Sequence, residues 1–319
     1  MTTRALDLRS GSLVLDDPDG LLQDRLSDLA PPARPEQRRC FILKVRHGDL
    51  SAAPPPEAES DARAGIVHHF WRDPARRHVL IAEEAALATG PGPEAVLTVA
   101  PGGRSTARSE LAMIALEEAI HASGQALIHC AALQPDGAEG LVLIHAASGM
   151  GKTTTALALA GAGLGLAADD AAVVGAGADG AMLAWGVPRA LNLHRETARM
   201  LDWLRPALPD PWPDRDEIPL PQRNLPPPVR LVPATLPILA LVELRRASES
   251  GLLSQSPRDA LTALVADNVN VSASGLWPVQ EGRLDVLVSL TEQVPCHVLQ
   301  VAAGPAGLQA AIRAMQSAF

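Results

Sequence analysis

The apolar run Gly140–Ala147 passes through Ser148-Gly149-Met150-Gly151 straight into Lys152–Ala162, a stretch dominated by alanine and leucine. An apolar strand that meets a helix across a glycine-bearing turn commits this part of the chain to an α/β arrangement, because strand and helix must pack on each other. The turn also has chemical meaning. Glycines accept dihedrals that aim successive backbone N–H groups to one side, at the start of a helix whose dipole attracts anions. Gly151, Lys152 and Thr153 match the end of the phosphate-loop pattern G-x-x-x-x-G-K-[ST], while Ala146 stands at its first glycine. In such a loop Lys152 reaches the outer phosphates of a nucleotide, and the Thr153 hydroxyl joins the shell of a Mg²⁺ ion.

Short apolar segments at Ser12–Leu15, Cys40–Val45, Gly65–Trp71, His78–Ala82 and Ala95–Ala100 alternate with Pro-rich and charged loops. They predict a β-rich N-terminal unit over residues 1–110, followed by an α/β domain over 111–319. Between Ser105 and Ala122 the positions Ala112, Met113, Leu116, Ala119 and Ile120 recur at helical spacing. Glu110, Glu117 and Glu118 fall outside that stripe, so an amphipathic helix joins the two units. Ala126–Leu133 and Gly140–Ala147 read as adjacent strands across the turn Gln134-Pro135-Asp136-Gly137. Leu164–Ala168 is a third strand, Ala171–Val174 and Ala181–Trp185 form a hairpin, and Glu196–Leu204 is helical. From Leu208 to Pro233 there are nine prolines in 26 residues. That density predicts an extended surface excursion without regular structure. Beyond it come a strand at Leu236–Leu244, a helix at Pro257–Asp267, a strand at Cys296–Val301 and a helix at Pro305–Ala318, with Leu308, Ala311, Ile312 and Met315 on one side.

Composition narrows the partners. A net charge of -9, from 27 basic and 36 acidic residues, supplies no field to hold a nucleic-acid backbone or an anionic membrane. Leu236–Leu244, like the other strongly apolar stretches, falls short of the roughly 20 residues a membrane span needs. Met1–Gly20 lacks the apolar core of a signal peptide. Cys40, Cys130 and Cys296 include no C-x-x-C unit, which argues against a disulfide framework or a structural zinc site and fits the cytoplasm.

Asp169-Asp170 closes the third strand, beginning 17 residues past Lys152. Two carboxylates converging on one site repel unless a cation or a shared proton relieves them. One can hold Mg²⁺ while the other takes a proton from an attacking hydroxyl. His129 lies on the Ala126–Leu133 strand, either as a hydrogen-bonded core histidine or as a member of this site. Cys130 points to the opposite strand face, so the two form no dyad. His145 precedes the loop and packs, and His68-His69 shows no metal-ligand spacing.

The loop Ser148-Gly149-Met150-Gly151-Lys152-Thr153, the strand Ile128-His129-Cys130-Ala131-Ala132 and the later Ala168-Asp169-Asp170 together resemble the HPr kinase/phosphorylase superfamily, over roughly Ala126–Leu193. The resemblance implies a P-loop kinase core of α/β class, related to HPr kinase and phosphoenolpyruvate carboxykinase, with a β-rich N-terminal unit. It also implies phosphorylation of a protein serine by Mg-ATP. By resemblance the catalytic residues are His129, Asp169, Asp170 and, at a distant counterpart of the C-terminal signature, Arg189. The nucleotide-binding residues are Ser148, Gly149, Met150, Gly151, Lys152, Thr153 and Thr154, and the metal ligands Thr153 and Asp170. Thr154 stands where bifunctional members carry an acidic residue, so phosphorylase activity is not implied. The chain is more similar to the HPr-kinase-like proteins found beside peptide-modification genes, including kinases of lasso-peptide precursors.

The expected function is therefore an ATP-dependent kinase acting on a serine of a peptide or small protein, with ATP and Mg²⁺, no nucleic acid and no membrane, and room for a homo-oligomer. Two alternatives stand beside it: a nucleotide-binding accessory protein without kinase activity, and a kinase of free serine or a related small alcohol.

Overall fold

The computed structural model describes residues 3–9, 12–22, 39–50, 53–63, 66–90, 92–187, 190–269 and 278–319. They gather into two units, one of Met1–Gln125 with Val271–Glu281 and one of Ala126–Asn270 with Gly282–Phe319.

Among the described residues the first unit has eight strands: β1 (Thr3–Asp7), β2 (Ser12–Asp16), β3 (Arg39–His47), β4 (Glu59–Arg63), β5 (Ile66–Arg72), β6 (Arg77–Ile81), β7 (Ala85–Thr89) and β8 (Glu94–Val99). They form one sheet in the order β1-β2-β3-β8-β7-β6-β5-β4. β3 runs parallel to β2 and β8, and the remaining pairs are antiparallel. Alternate residues of β7 and β8 are buried, as a sheet with one covered face requires. Helix α1 (Ser105–Ala122) covers that face, burying Leu111, Ala115, Leu116, Ala119 and Ile120. Glu118, which helical spacing puts outside the apolar stripe, is buried too. Its carboxylate receives both Nη groups of Arg77 on β6, at 2.7 and 3.1 Å. A fork-to-carboxylate pair lets this charge enter the core.

The second unit holds β9 (Gln125–Ile128), β10 (Ala131–Gln134), β11 (Leu141–His145), α2 (Lys152–Gly161), β12 (Gly165–Ala168), β13 (Ala172–Ala176), β14 (Met182–Gly186), β15 (Ala190–His194), α3 (Arg195–Met200), β16 (Glu217–Pro221), β17 (Arg230–Leu231), β18 (Leu236–Arg246), β19 (Gly251–Ser254), α4 (Pro257–Asn268), α5 (Pro278–Gln293), β20 (Cys296–Val301) and α6 (Gly304–Ala318). Its main sheet is ordered β17-β12-β10-β11-β18-β14-β13-β9, with β20 also beside β18 and β19 beside β20. β11 is apolar on both faces. Val142 and Ile144 pack in one core with α2 and α6, while Leu141 and Leu143 pack in the other with α4 and α5. On α6, Leu308, Ala311, Ile312 and Met315 are all buried, the side that their spacing picks out.

Strand direction assembles one edge of this sheet. β10 is antiparallel to both β11 and β12, so β11 and β12 run in the same sense and finish at the edge where β10 begins. β18 is parallel to β11 and finishes there as well. The loop after β11, the acid pair after β12, the residues before β10 and the tail of β18 therefore share one edge.

Two expectations need correction. Ala126–Leu133 is not one strand, for it breaks at His129-Cys130 into β9 and β10. Those strands lie far apart in the sheet order yet are joined by two residues, so the sheet bends back on itself. The same bend lets Asp169–Ala171 connect β12 to β13. It also brings β14 so close to β12 that a Cβ at Gly186 would stand 1.8 Å from the Ala167 carbonyl oxygen. The Pro-rich excursion, for its part, contains regular structure: β16 pairs antiparallel with β15 in a two-stranded ribbon. Ile218 and Leu220 are buried while Pro219 is exposed. Pro219 and Pro221, two residues apart, turn their ring nitrogens to the same side, so an edge strand tolerates both.

Candidate functional site

Loop 146–151 leaves β11 with Ala146 buried in the α2 core, and Ala147, Ser148 and Gly149 exposed. Gly149 and Gly151 take φ of 79° and 92°, dihedrals that side-chain-bearing residues rarely adopt. Gly151 caps α2, and its carbonyl accepts the Thr155 amide at 2.9 Å. Met150 packs against the same hydrophobic core beside α2 as Ala146 does. Thr154 hydrogen-bonds Thr197 of α3 at 2.7 Å and ties the two helices.

Lys152, almost fully buried, donates to the Asp169 carbonyl at 3.1 Å and to Asp170 Oδ1 at 3.2 Å. The Thr153 hydroxyl donates to Asp169 Oδ2 at 3.2 Å. His129 Nδ1 lies 3.1 Å from Asp170 Oδ1. The structure thus brings Lys152, Thr153, Asp169, Asp170 and His129 together. The threonine meets Asp169 rather than Asp170, which faces the lysine and the histidine. Arg189 lies outside the described residues.

Asp169 is buried among charged neighbours. Burial pushes its pKa up to about 6 against the pull of Lys152, with Asp170 adding to the rise. Its Oδ1 is buried and has no hydrogen-bond partner among the described residues. An orphaned carboxylate oxygen beside a threonine hydroxyl is the donor chemistry a Mg²⁺ ion takes, with the remaining positions left to water and phosphate. Three or more His, Cys, Asp or Glu side chains do not gather into a metal cage anywhere among the described residues.

A cavity of about 930 Å³ opens over the loop, lined by Ser148, Gly149, Gly151, Lys152, Thr153, Thr154, Asp170 and His129 on one side. Asn192, His194, Arg195, Glu196 and Glu217 from the β15–β16 ribbon and α3 line it on another, with Arg246 from the end of β18. Four contributors carry no sequence signal. Asn268, at the end of α4, accepts the His129 backbone N–H at 2.7 Å and fixes the break between β9 and β10. Thr197 anchors Thr154. Arg195 is held by the Pro213 carbonyl at 3.1 Å and lies over the Trp212 ring. Arg246 places its guanidinium against the loop.

The neighbouring groups serve the scaffold. His145 is fully buried, with Nδ1 3.3 Å from Asp267 Oδ2. Cys130 faces the other core, and burial pushes its thiol up to about 12. Cys296 is buried and free as well, its thiol also raised by burial. In the folded protein at pH 8 neither is expected to react with iodoacetamide. Peptide mapping reads the outcome, and a carbamidomethylated Cys130 would contradict this burial. No helix among the described residues is long and apolar enough to cross a membrane.

No protein-family model matches the chain, and no curated protein matches it. Among solved structures, the Hpr(Ser) kinase/phosphatase from Coxiella burnetii aligns at a TM-score of 0.33 and 10% identity, covering 60% of this chain and 94% of that one. So slight a likeness assigns nothing, and the function has to be read from the site.

Proposed function

We propose that this protein is an ATP-dependent kinase, transferring the γ-phosphoryl group to a serine hydroxyl of a peptide or small protein. One observation carries the reading: a lysine, a threonine, two aspartates and a histidine from three separate chain segments converge at the mouth of a glycine-bearing loop that opens a helix. Loop amides and Lys152 bind the phosphates. Thr153 and Asp169 would hold Mg²⁺, which when bound neutralises charge on the phosphate oxygens. Asp170, less buried than Asp169 and oriented by Lys152 and His129, accepts the proton of the acceptor hydroxyl. As the new O–P bond forms, the bond from the γ-phosphorus to the bridging oxygen breaks, and its electron pair leaves on ADP. A cytoplasmic setting, where Mg-ATP is available, goes with this reading.

The test is mass spectrometry of serine-containing precursor peptides and small proteins incubated with the protein and Mg-ATP, with wild type and Asp170→Asn side by side. Wild type is expected to add one phosphate. Asp170→Asn should lower transfer by about 10²- to 10⁴-fold, the usual weight of a positioned base, with binding of a fluorescent ATP analogue kept. Transfer at the wild-type rate by the variant would remove Asp170 from the chemistry. An accessory protein would bind the analogue and add no phosphate to any acceptor.

A further inference from the structure

Arg246 is the last residue of β18, which lies beside β11 and runs parallel to it. The strand thereby delivers Arg246 to the edge where the loop leaves β11. Its guanidinium rests against the loop, since a Cβ built on Gly151 would come 3.0 Å from Arg246 Nη2. Arg245, next to it, is occupied by Glu243, with Nε and Nη2 at 2.6 and 2.8 Å from the carboxylate. Arg246 has no hydrogen-bond or ion-pair partner among the described residues, and it lines the cavity together with Lys152 and Thr153.

We propose that Arg246 is a catalytic residue, an arginine supplied in cis that pairs with the transferred phosphoryl group. The inference rests on the kinase reading above. Lys152 is tied down by the Asp169 carbonyl and Asp170, and it can act only as a point charge. A planar, permanently charged fork at the end of β18 supplies what a lysine does not: two donors for the equatorial oxygens on which negative charge gathers as the O–P bond to the acceptor forms and the bond to the leaving ADP oxygen breaks. A Cβ at Gly151 would press on the guanidinium, which would have to give by a few tenths of an ångström.

The experiment compares wild type, Arg246→Ala and Arg246→Lys by titration with mant-ADP in the presence of Mg²⁺, with and without aluminium fluoride, whose planar complex mimics the phosphoryl in flight. Wild type is expected to bind mant-ADP about 100-fold more tightly with aluminium fluoride. In both variants mant-ADP alone should bind within about 3-fold of wild type, and the aluminium fluoride enhancement should vanish. Lysine is not expected to rescue it, because the fork is what counts, and the Lys variant keeps the test valid should the Ala variant fail to fold. An enhancement kept in Arg246→Lys, absent in wild type, or lost only in step with mant-ADP affinity overturns the proposal. Failure of wild type to bind mant-ADP at all overturns the kinase reading instead.

Discussion

Asp169→Asn is expected to leave the protein more stable and catalytically dead. Burial raises the Asp169 pKa to about 6, above the ordinary carboxylate value, so the folded state resists the charge that the unfolded state carries freely. The penalty is absent below about pH 4, grows as pH climbs toward 6, and is complete above it. By linkage a shift of about two units corresponds to about 3 kcal/mol. Asparagine removes that charge and still offers an oxygen to Thr153, but it buries an amide NH₂ beside the orphaned position, which takes back roughly 1 kcal/mol. A net gain of about 1–2 kcal/mol at pH 8 in a chelating buffer, fading toward pH 4, is the expected thermal-unfolding result. Phosphoryl transfer should fall by at least about 10³-fold, since the carboxylate assigned to Mg²⁺ is gone. A destabilised variant, or one that still turns over, would show that this carboxylate is structural.

Arg77→Ala in the N-terminal unit should have the opposite signature, a large loss of stability. Glu118 is almost inaccessible, and burial raises its pKa despite Arg77. Without the guanidinium an unpaired charge stays in the core, which costs about 3–5 kcal/mol. A raised carboxylate is less harmful when protonated, so the loss should be largest at pH 8 and shrink as pH falls through the Glu118 pKa. Arg77→Met combined with Glu118→Leu is expected to recover most of the stability, because replacing both partners with apolar groups is close to neutral. Denaturant melts of the single and double variants at pH 5 and pH 8 read this directly. A single variant within about 1 kcal/mol of wild type would mean that the pair contributes little.

What could be read from residues alone follows the range of the interaction. Strand, loop and helix around Gly149 and Gly151 are local, and periodicity with two glycines sufficed. Asp169-Asp170 could be placed because adjacent carboxylates at the end of an apolar strand are conspicuous. The break at His129-Cys130 was hidden, since both strands it separates are buried and apolar, and a continuous apolar run looks the same whether it is one strand or two. Proline density concealed β16 because it says nothing about which edge the ring nitrogens face. Helical spacing puts Glu118 outside the apolar stripe and says nothing of its burial, because it cannot see an arginine 41 residues away on β6. Asn268 and Arg246 act on partners 139 and 95 residues distant, where no window along the chain reaches. Which carboxylate meets Thr153 is likewise a matter of three dimensions.

The placement of β10 between β11 and β12 works as a spacer. Two interstrand gaps, about 10 Å in all, separate the strand that opens the loop from the strand that carries the acids. That interval is set by backbone hydrogen bonding, so side-chain changes in the site cannot alter it. It leaves the long arm of Lys152 and the first turn of α2 to bridge what the ladder holds apart. Changing how far the phosphate seat stands from the acids would take a different strand order, not a different residue.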